Sequence, residues 1–161
     1  MEIVGPICGY KARGLTEAEA DRILYAYLLG GYGAVSRQHP TQIAGTNNRL
    51  DFRFCDKRHR GNQYGGNPCI LELAVKDIHG GQHLTVIRNK TELRKLSRHG
   101  VVVAARVLLL LDVSENPTPK DKLKPGYDKY HFGPGKFAAH GVSVLYVHRD
   151  LQYKFVWRPR R

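Results

Sequence analysis

The chain has 161 residues, enough for one domain with its own core and too few for two. Lys and Arg number 26 against 14 Asp and Glu, a formal charge of +12, and such a field attracts a polyanion, nucleic acid first among them. Cys8, Cys55 and Cys69 form no close pair, which argues against a disulfide framework or a thiolate zinc site. The opening "MEIVGPICGYKARG" lacks a secretory pattern, and the most apolar run, Val101 to Val113, is too short to span a bilayer and carries Arg106. The expectation is a soluble cytoplasmic protein with no membrane partner.

In chain order, "LTEAEADRILYAYLLGG" is the clearest helix. Thr16 followed by Glu19 fits a capping box, and Ala20, Ile23, Leu24, Tyr27 and Leu28 recur at helical spacing over residues 17–29. A short strand at "AVSRQ" and a turn at "IAGTNN" come next. "RLDFRF" then alternates, with Leu50, Phe52 and Phe54 on one face and Arg49, Asp51 and Arg53 on the other.

"DKRHRGNQYGGNP" is a basic, glycine-rich connection of the kind that joins a hairpin. It leads into "CILELAVKDI", where Leu71, Leu73 and Val75 share one face and Glu72, Ala74 and Lys76 the other. "NKTELRKLSRHG" predicts a second helix with Asn89 as N-cap. Val101 to Val113 predicts a strand buried on both faces, joined to the preceding one by a right-handed parallel crossover, so the sheet is mixed. His79 and His83 in "HGGQH" have the separation of helical metal ligands, but Gly80 and Gly81 speak against a helix there.

Ser114 to Gly141 reads as an irregular stretch in which Lys120, Lys122, Lys124, Lys129 and Lys136 interleave with Tyr127, Tyr130, Phe132 and Phe137. It is either a nucleic-acid contact, with rings stacking on unpaired bases, or a charged linker folded over the sheet. "VSVLYVHRDLQYKFVW" reads as two strands about a turn near Arg149 and Asp150.

Asp51 and Glu72 fall on the polar faces of two strands that a hairpin sets side by side. Two carboxylates held close repel unless a cation lies between them, and an oxygen-only pair suits Mg²⁺ or Mn²⁺. With a lysine nearby, such a site can activate water against a phosphodiester. The plainer alternatives are a solvated Asp51 flanked by Arg49 and Arg53, and a surface ion pair of Glu72 with Lys76.

The order "TEAEADRILYAYLLGGYGAVSRQ", "NNRLDF", "CILELAVK", helix and apolar strand resembles the PD-(D/E)XK, or restriction-endonuclease-like, nuclease superfamily, and in particular compact members such as archaeal Holliday-junction resolvases. The likeness covers residues 15–113. It implies an α/β fold, a mixed sheet flanked by helices in the order αβββαβ, here followed by the 114–141 loop and a C-terminal β-hairpin extension over 142–157, all in a single domain. It implies that Asp51 and Glu72 bind Mg²⁺ or Mn²⁺, and that Glu19 is a further ligand; within the chain itself Glu19 is equally a capping-box member. The pattern puts its lysine two residues after the acid, where this chain has Ala74. Lys76, on the same face and about 6 to 7 Å farther along the strand, becomes the displaced catalytic lysine, and Leu50 stands where the motif has proline.

The expected function is therefore metal-dependent hydrolysis of phosphodiester bonds in DNA, or RNA, with two chains pairing where both strands are cut. The alternative is a catalytically inactive nucleic-acid-binding protein on the same fold, for which Ala74 speaks. Lys57, Arg58, His59 and Arg60, between the two acid-bearing strands, are the expected phosphate clamps, joined by Lys122, Lys124, Lys129 and Tyr130 from the later segment.

Overall fold

Ala20, Leu24 and Leu28 recur every four residues or so, and that stripe buries helix α1, Glu17–Gly31, against a sheet. Its capping box forms: the Glu19 amide donates to Thr16 Oγ1 at 3.3 Å, and the Thr16 amide donates back to the Glu19 carboxylate at 2.8 Å. The computed structural model describes residues 16–40, 48–55, 67–76, 84–99, 102–132, 141–149 and 154–157. After α1 come β1, Gly33–Pro40; β2, Arg49–Cys55; β3, Cys69–Lys76; helix α2, Lys90–Arg98; β4, Ala105–Asp112; helix α3, Lys120–Phe132; β5, Val142–His148; and β6, Lys154–Trp157.

The strands form one mixed sheet in the order β1-β2-β3-β4-β5-β6. β3, β4 and β5 are mutually parallel, and the remaining neighbours are antiparallel. The two parallel steps, through α2 and then α3, advance in one direction, so right-handed crossovers put both helices on the same face. Leu93 and Leu96 of α2 and Leu123 and Tyr127 of α3 accordingly share a core with Ile70, Ala74, Leu108, Leu110, Val142 and Val144. On the opposite face α1 covers Phe52, Phe54, Leu71, Leu73, Val75, Val107, Leu109 and Leu111. β3 and β4 are thus sandwiched, which explains their unbroken apolar runs. No helix among the described residues is long and apolar enough to cross a membrane.

α3 corrects the irregular reading of residues 114–141. Pro125 removes one helical hydrogen bond and disfavours an interior position by roughly 3 kcal/mol, yet Leu123 and Tyr127, four apart, bury one face. The Tyr127 hydroxyl donates to the Leu84 carbonyl at 2.8 Å and accepts from Asn89 Nδ2 at 3.3 Å. A Cβ on Gly126 would lie 3.1 Å from Val86 Cγ1, so glycine lets the helix approach this closely. Tertiary packing overrides the local breakers. Asn89 occupies the N-cap position of α2, but its amide serves Thr85 and Tyr127 instead of the helix end. The C-terminal strands are continuous with the sheet: β5 pairs with β4 from Arg106↔Val142 to Asp112↔His148.

Beyond β4 the chain is tied down by one buried carboxylate. Asp112 Oδ1 accepts from the Ser114 amide at 3.1 Å and hydroxyl at 2.5 Å; Oδ2 accepts from the Thr118 amide at 3.0 Å, the Thr118 hydroxyl at 2.7 Å and the Tyr146 hydroxyl at 2.8 Å. Burial alone would raise the Asp112 pKa, but these bonds and the Lys76 charge outweigh it and hold the group below its ordinary 3.8. The linkage favours folding above about pH 4 and fades as pH falls through the lowered value. Asp112→Ala should cost about 3 kcal/mol at neutral pH, with the gap to wild type narrowing below about pH 4; urea titrations across that range measure both.

Candidate active site

In a regular strand residues two apart share a face. β2 breaks this rule: Phe52 and Phe54 lie in the α1-side core, whereas Leu50 lies in the α2-side core. This corrects the expectation that all three share one face. Its partner strand reverses at the same level. Arg37, paired with Phe52, reaches α1, where it meets Asp21 and stacks 5.1 Å over Tyr25. His39, paired with Leu50, turns to the other face and lies 3.5 Å from the Ser36 hydroxyl. Between them Gln38 adopts a left-handed backbone, φ 51, opposite Asp51. A further irregularity in β1, between Gly33 and Ser36, contains Ala34 at φ 48 and adds one residue to the strand.

The reversal opens a fork between β2 and β3. Their ladder runs from Phe54↔Cys69 to Phe52↔Leu71 and stops there. Beyond it, side chains satisfy the backbone: Asp51 Oδ2 accepts from the Leu73 amide at 2.8 Å, and Lys95 Nζ of α2 donates to the Arg49 carbonyl at 3.1 Å. Asp51 therefore points into the sheet plane, toward Glu72.

Glu72 is 1% exposed. Its Oε2 accepts from Lys95 Nζ at 2.8 Å, while Oε1 is buried without a hydrogen-bond partner. Burial, and then the charge of Asp51, push the Glu72 carboxyl up to about 9; Lys95 pulls the other way without cancelling them. A Glu72 carboxyl raised this far keeps its proton at neutral pH and can donate it toward Asp51. An orphaned carboxylate oxygen beside a second carboxylate fits a hard divalent cation in place of that proton. Among the described residues no group of three His, Cys, Asp or Glu is placed to hold a metal.

The structure brings Asp51 and Glu72 together but leaves Lys76 and Glu19 out. Lys76, at the far end of β3, donates to Asp112 at 3.4 Å and Thr118 Oγ1 at 3.1 Å, so the ammonium at Glu72 is that of Lys95. Glu19 is engaged in its capping box, about 140° around α1 from the buried stripe. Glu17 and Asp21 instead line a cleft of about 580 Å³ between α1 and β1, with Arg22, Arg37, Gln38 and Asp51. That side of the helix follows from the Ala20, Leu24 and Leu28 stripe. Lys95 had no such signal, because it lies off the Leu93–Leu96 stripe and reaches Glu72 through the length of its side chain. Lys122, Lys124 and Lys129 are exposed on α3, Lys124 paired with Asp128. Lys57, Arg58, His59, Arg60, His79 and His83, and the Tyr130 side chain, lie outside the described residues.

No family model, curated protein or solved structure matches the chain.

Gln38→Gly should keep the left-handed turn and the wild-type stability or better, whereas Gln38→Val should cost roughly 1–3 kcal/mol. Hydrogen exchange of the Leu73 amide reads the difference, fast in the valine variant and protected in the glycine one. Because Glu72 titrates near 9 when folded and near 4.5 otherwise, its protonation favours folding fully below about pH 4.5, and this contribution is lost as pH rises through about 9. Glu72→Gln should thus match wild type near pH 5 and exceed it at about pH 8, as followed by denaturation midpoints.

Proposed function

We propose that the chain is a metal-dependent endonuclease that hydrolyses phosphodiester bonds in DNA, built on a restriction-endonuclease-like core. One observation carries this reading: Asp51 and Glu72 meet at a fork in the sheet with the Lys95 ammonium 2.8 Å from Glu72. The element order α1-β1-β2-β3-α2-β4 also agrees with the αβββαβ order that the sequence resemblance implies, and the charge of +12 suits a polyanionic substrate.

In this reading Asp51 and Glu72 would hold the cation at the fork between β2 and β3. The ion, when bound, supplies charge neutralisation and an acidified water. Lys95 takes over from the lysine that the motif places at the position of Ala74. It fixes the Glu72 carboxylate and sets a positive charge where negative charge develops on phosphorus oxygens. Water oxygen joins phosphorus, the phosphorus–oxygen ester bond breaks, and the leaving oxygen takes up a proton.

The burial of Glu72, at 1% exposure, favours a second reading, a nucleic-acid-binding protein that performs no chemistry. Incubation of plasmid and single-stranded DNA with Mg²⁺ or Mn²⁺ separates the two. Cleavage should fall about 100-fold or more in Asp51→Asn and Glu72→Gln and strongly in Lys95→Met, with DNA binding retained. Binding without cleavage in the wild type, or cleavage indifferent to Glu72→Gln, refutes the enzymatic reading.

A further inference from the structure

We infer that Ser36, His39 and Arg53, backed by His99, form a subsite for a backbone phosphate of the nucleic acid, next to the fork on the α2 face of the sheet. The inference rests on the nucleic-acid reading above and adds where the strand runs.

The reversal at Gln38 makes this cluster. Arg53 pairs with Ile70, a residue of the α2-side core, and with Ser36 across the hairpin, so both point to the α2 face. Regular alternation from Arg37 would send His39 toward α1. The left-handed backbone at Gln38 sends it to the α2 face instead, together with its partner Leu50. Ser36 and His39, three apart in the chain, come within 3.5 Å. His99 closes the group from the C-terminal end of α2, where it is buried.

The charges that act on His39 from its neighbours Arg53 and His99 are positive. The His39 pKa is lowered first by burial, then by the positive charges of Arg53 and His99. Arg53 forms no ion pair with a carboxylate among the described residues. Like charges gathered on a half-buried surface repel, and an anion seated among them removes the repulsion. The chemistry matches a phosphodiester: an arginine fork and an imidazole to bind two oxygens, and a hydroxyl to donate a third hydrogen bond. Location matters as well. Arg53 is two residues from Asp51, about 7 Å along β2, and it lies on the same face as Lys95. A strand held there has its neighbouring linkage at the fork.

The test is binding of a short fluorescein-labelled DNA oligonucleotide in EDTA, so that no cleavage intervenes, followed by anisotropy over a range of salt concentrations. Arg53→Gln and His39→Gln should each weaken binding several-fold, and Arg53→Gln should lower the salt slope by about one. Arg53→Lys, which keeps the charge, should preserve the slope and guard against a folding defect. Unchanged affinity and slope in both glutamine variants overturns the subsite and leaves the nuclease reading standing. Loss of binding in the variants with no cleavage by the wild type supports the subsite and removes the nuclease. No oligonucleotide binding by the wild type ends both. Displacement of the oligonucleotide by poly-glutamate as readily as by inorganic phosphate also overturns it, since the cluster would then accept any anion.

Discussion

Everything at the candidate site follows from one backbone event, the reversal of side-chain phase where Gln38 faces Asp51. A hairpin in perfect alternation would send Asp51 to the α2 face, between Leu50 and Phe52 on the other side, and the β2–β3 ladder would run on to its end. The left-handed residue turns the strand over, so Asp51 points along the sheet toward β3 and the ladder parts after Phe52↔Leu71. A non-glycine residue with this backbone is strained by about 1 kcal/mol or more. What offsets it is the set of contacts on either side: Phe52 in one core, Leu50 in the other, and the Arg49 guanidinium on the Gln38 carbonyl at 3.2 Å.

β3 carries one carboxyl and one ammonium, and they have opposite characters. Lys76 ends in a network where both oxygens of Asp112 are engaged several times over. Such saturation makes Asp112 a structural anchor for the chain after β4. Glu72 keeps one oxygen unsatisfied and its proton affinity high, despite the lysine beside it. A carboxylate so arranged is costly unless its charge is met by something the chain lacks. Four residues of separation along one strand divide a saturated ion pair from a carboxyl with an unmet oxygen.

How much of this was legible in the residues depended on the range of the interactions. Thr16 and Glu19 act across one turn, and their capping box is readable in the sequence. The buried strands β3 and β4 declare themselves by composition, and Asp51 and Glu72 stand out as acids among apolar neighbours. α3 was hidden because Pro125 and Gly126 argue locally against it, while Leu84 and Asn89, some forty residues earlier in the chain, hold Tyr127. Lys95 belongs to α2, but its partners, the Arg49 carbonyl and the Glu72 carboxylate, come from two other elements. Nothing in "SRQHP" marks Gln38 as left-handed, so the reversal, and with it the crossing of Leu50 to the second core, is a property of the assembled hairpin.

Among the described strands β1 lies at one edge of the sheet and β6 at the other. β1 is only eight residues long, with an inserted residue near its start, an inverted backbone at Gln38 and a proline at its end. A straight, flat edge invites another chain to extend the sheet, and each of these irregularities spoils that template. Strand pairing by a second copy along this margin is therefore disfavoured, and the inverted backbone that sets Asp51 beside β3 is one of the causes.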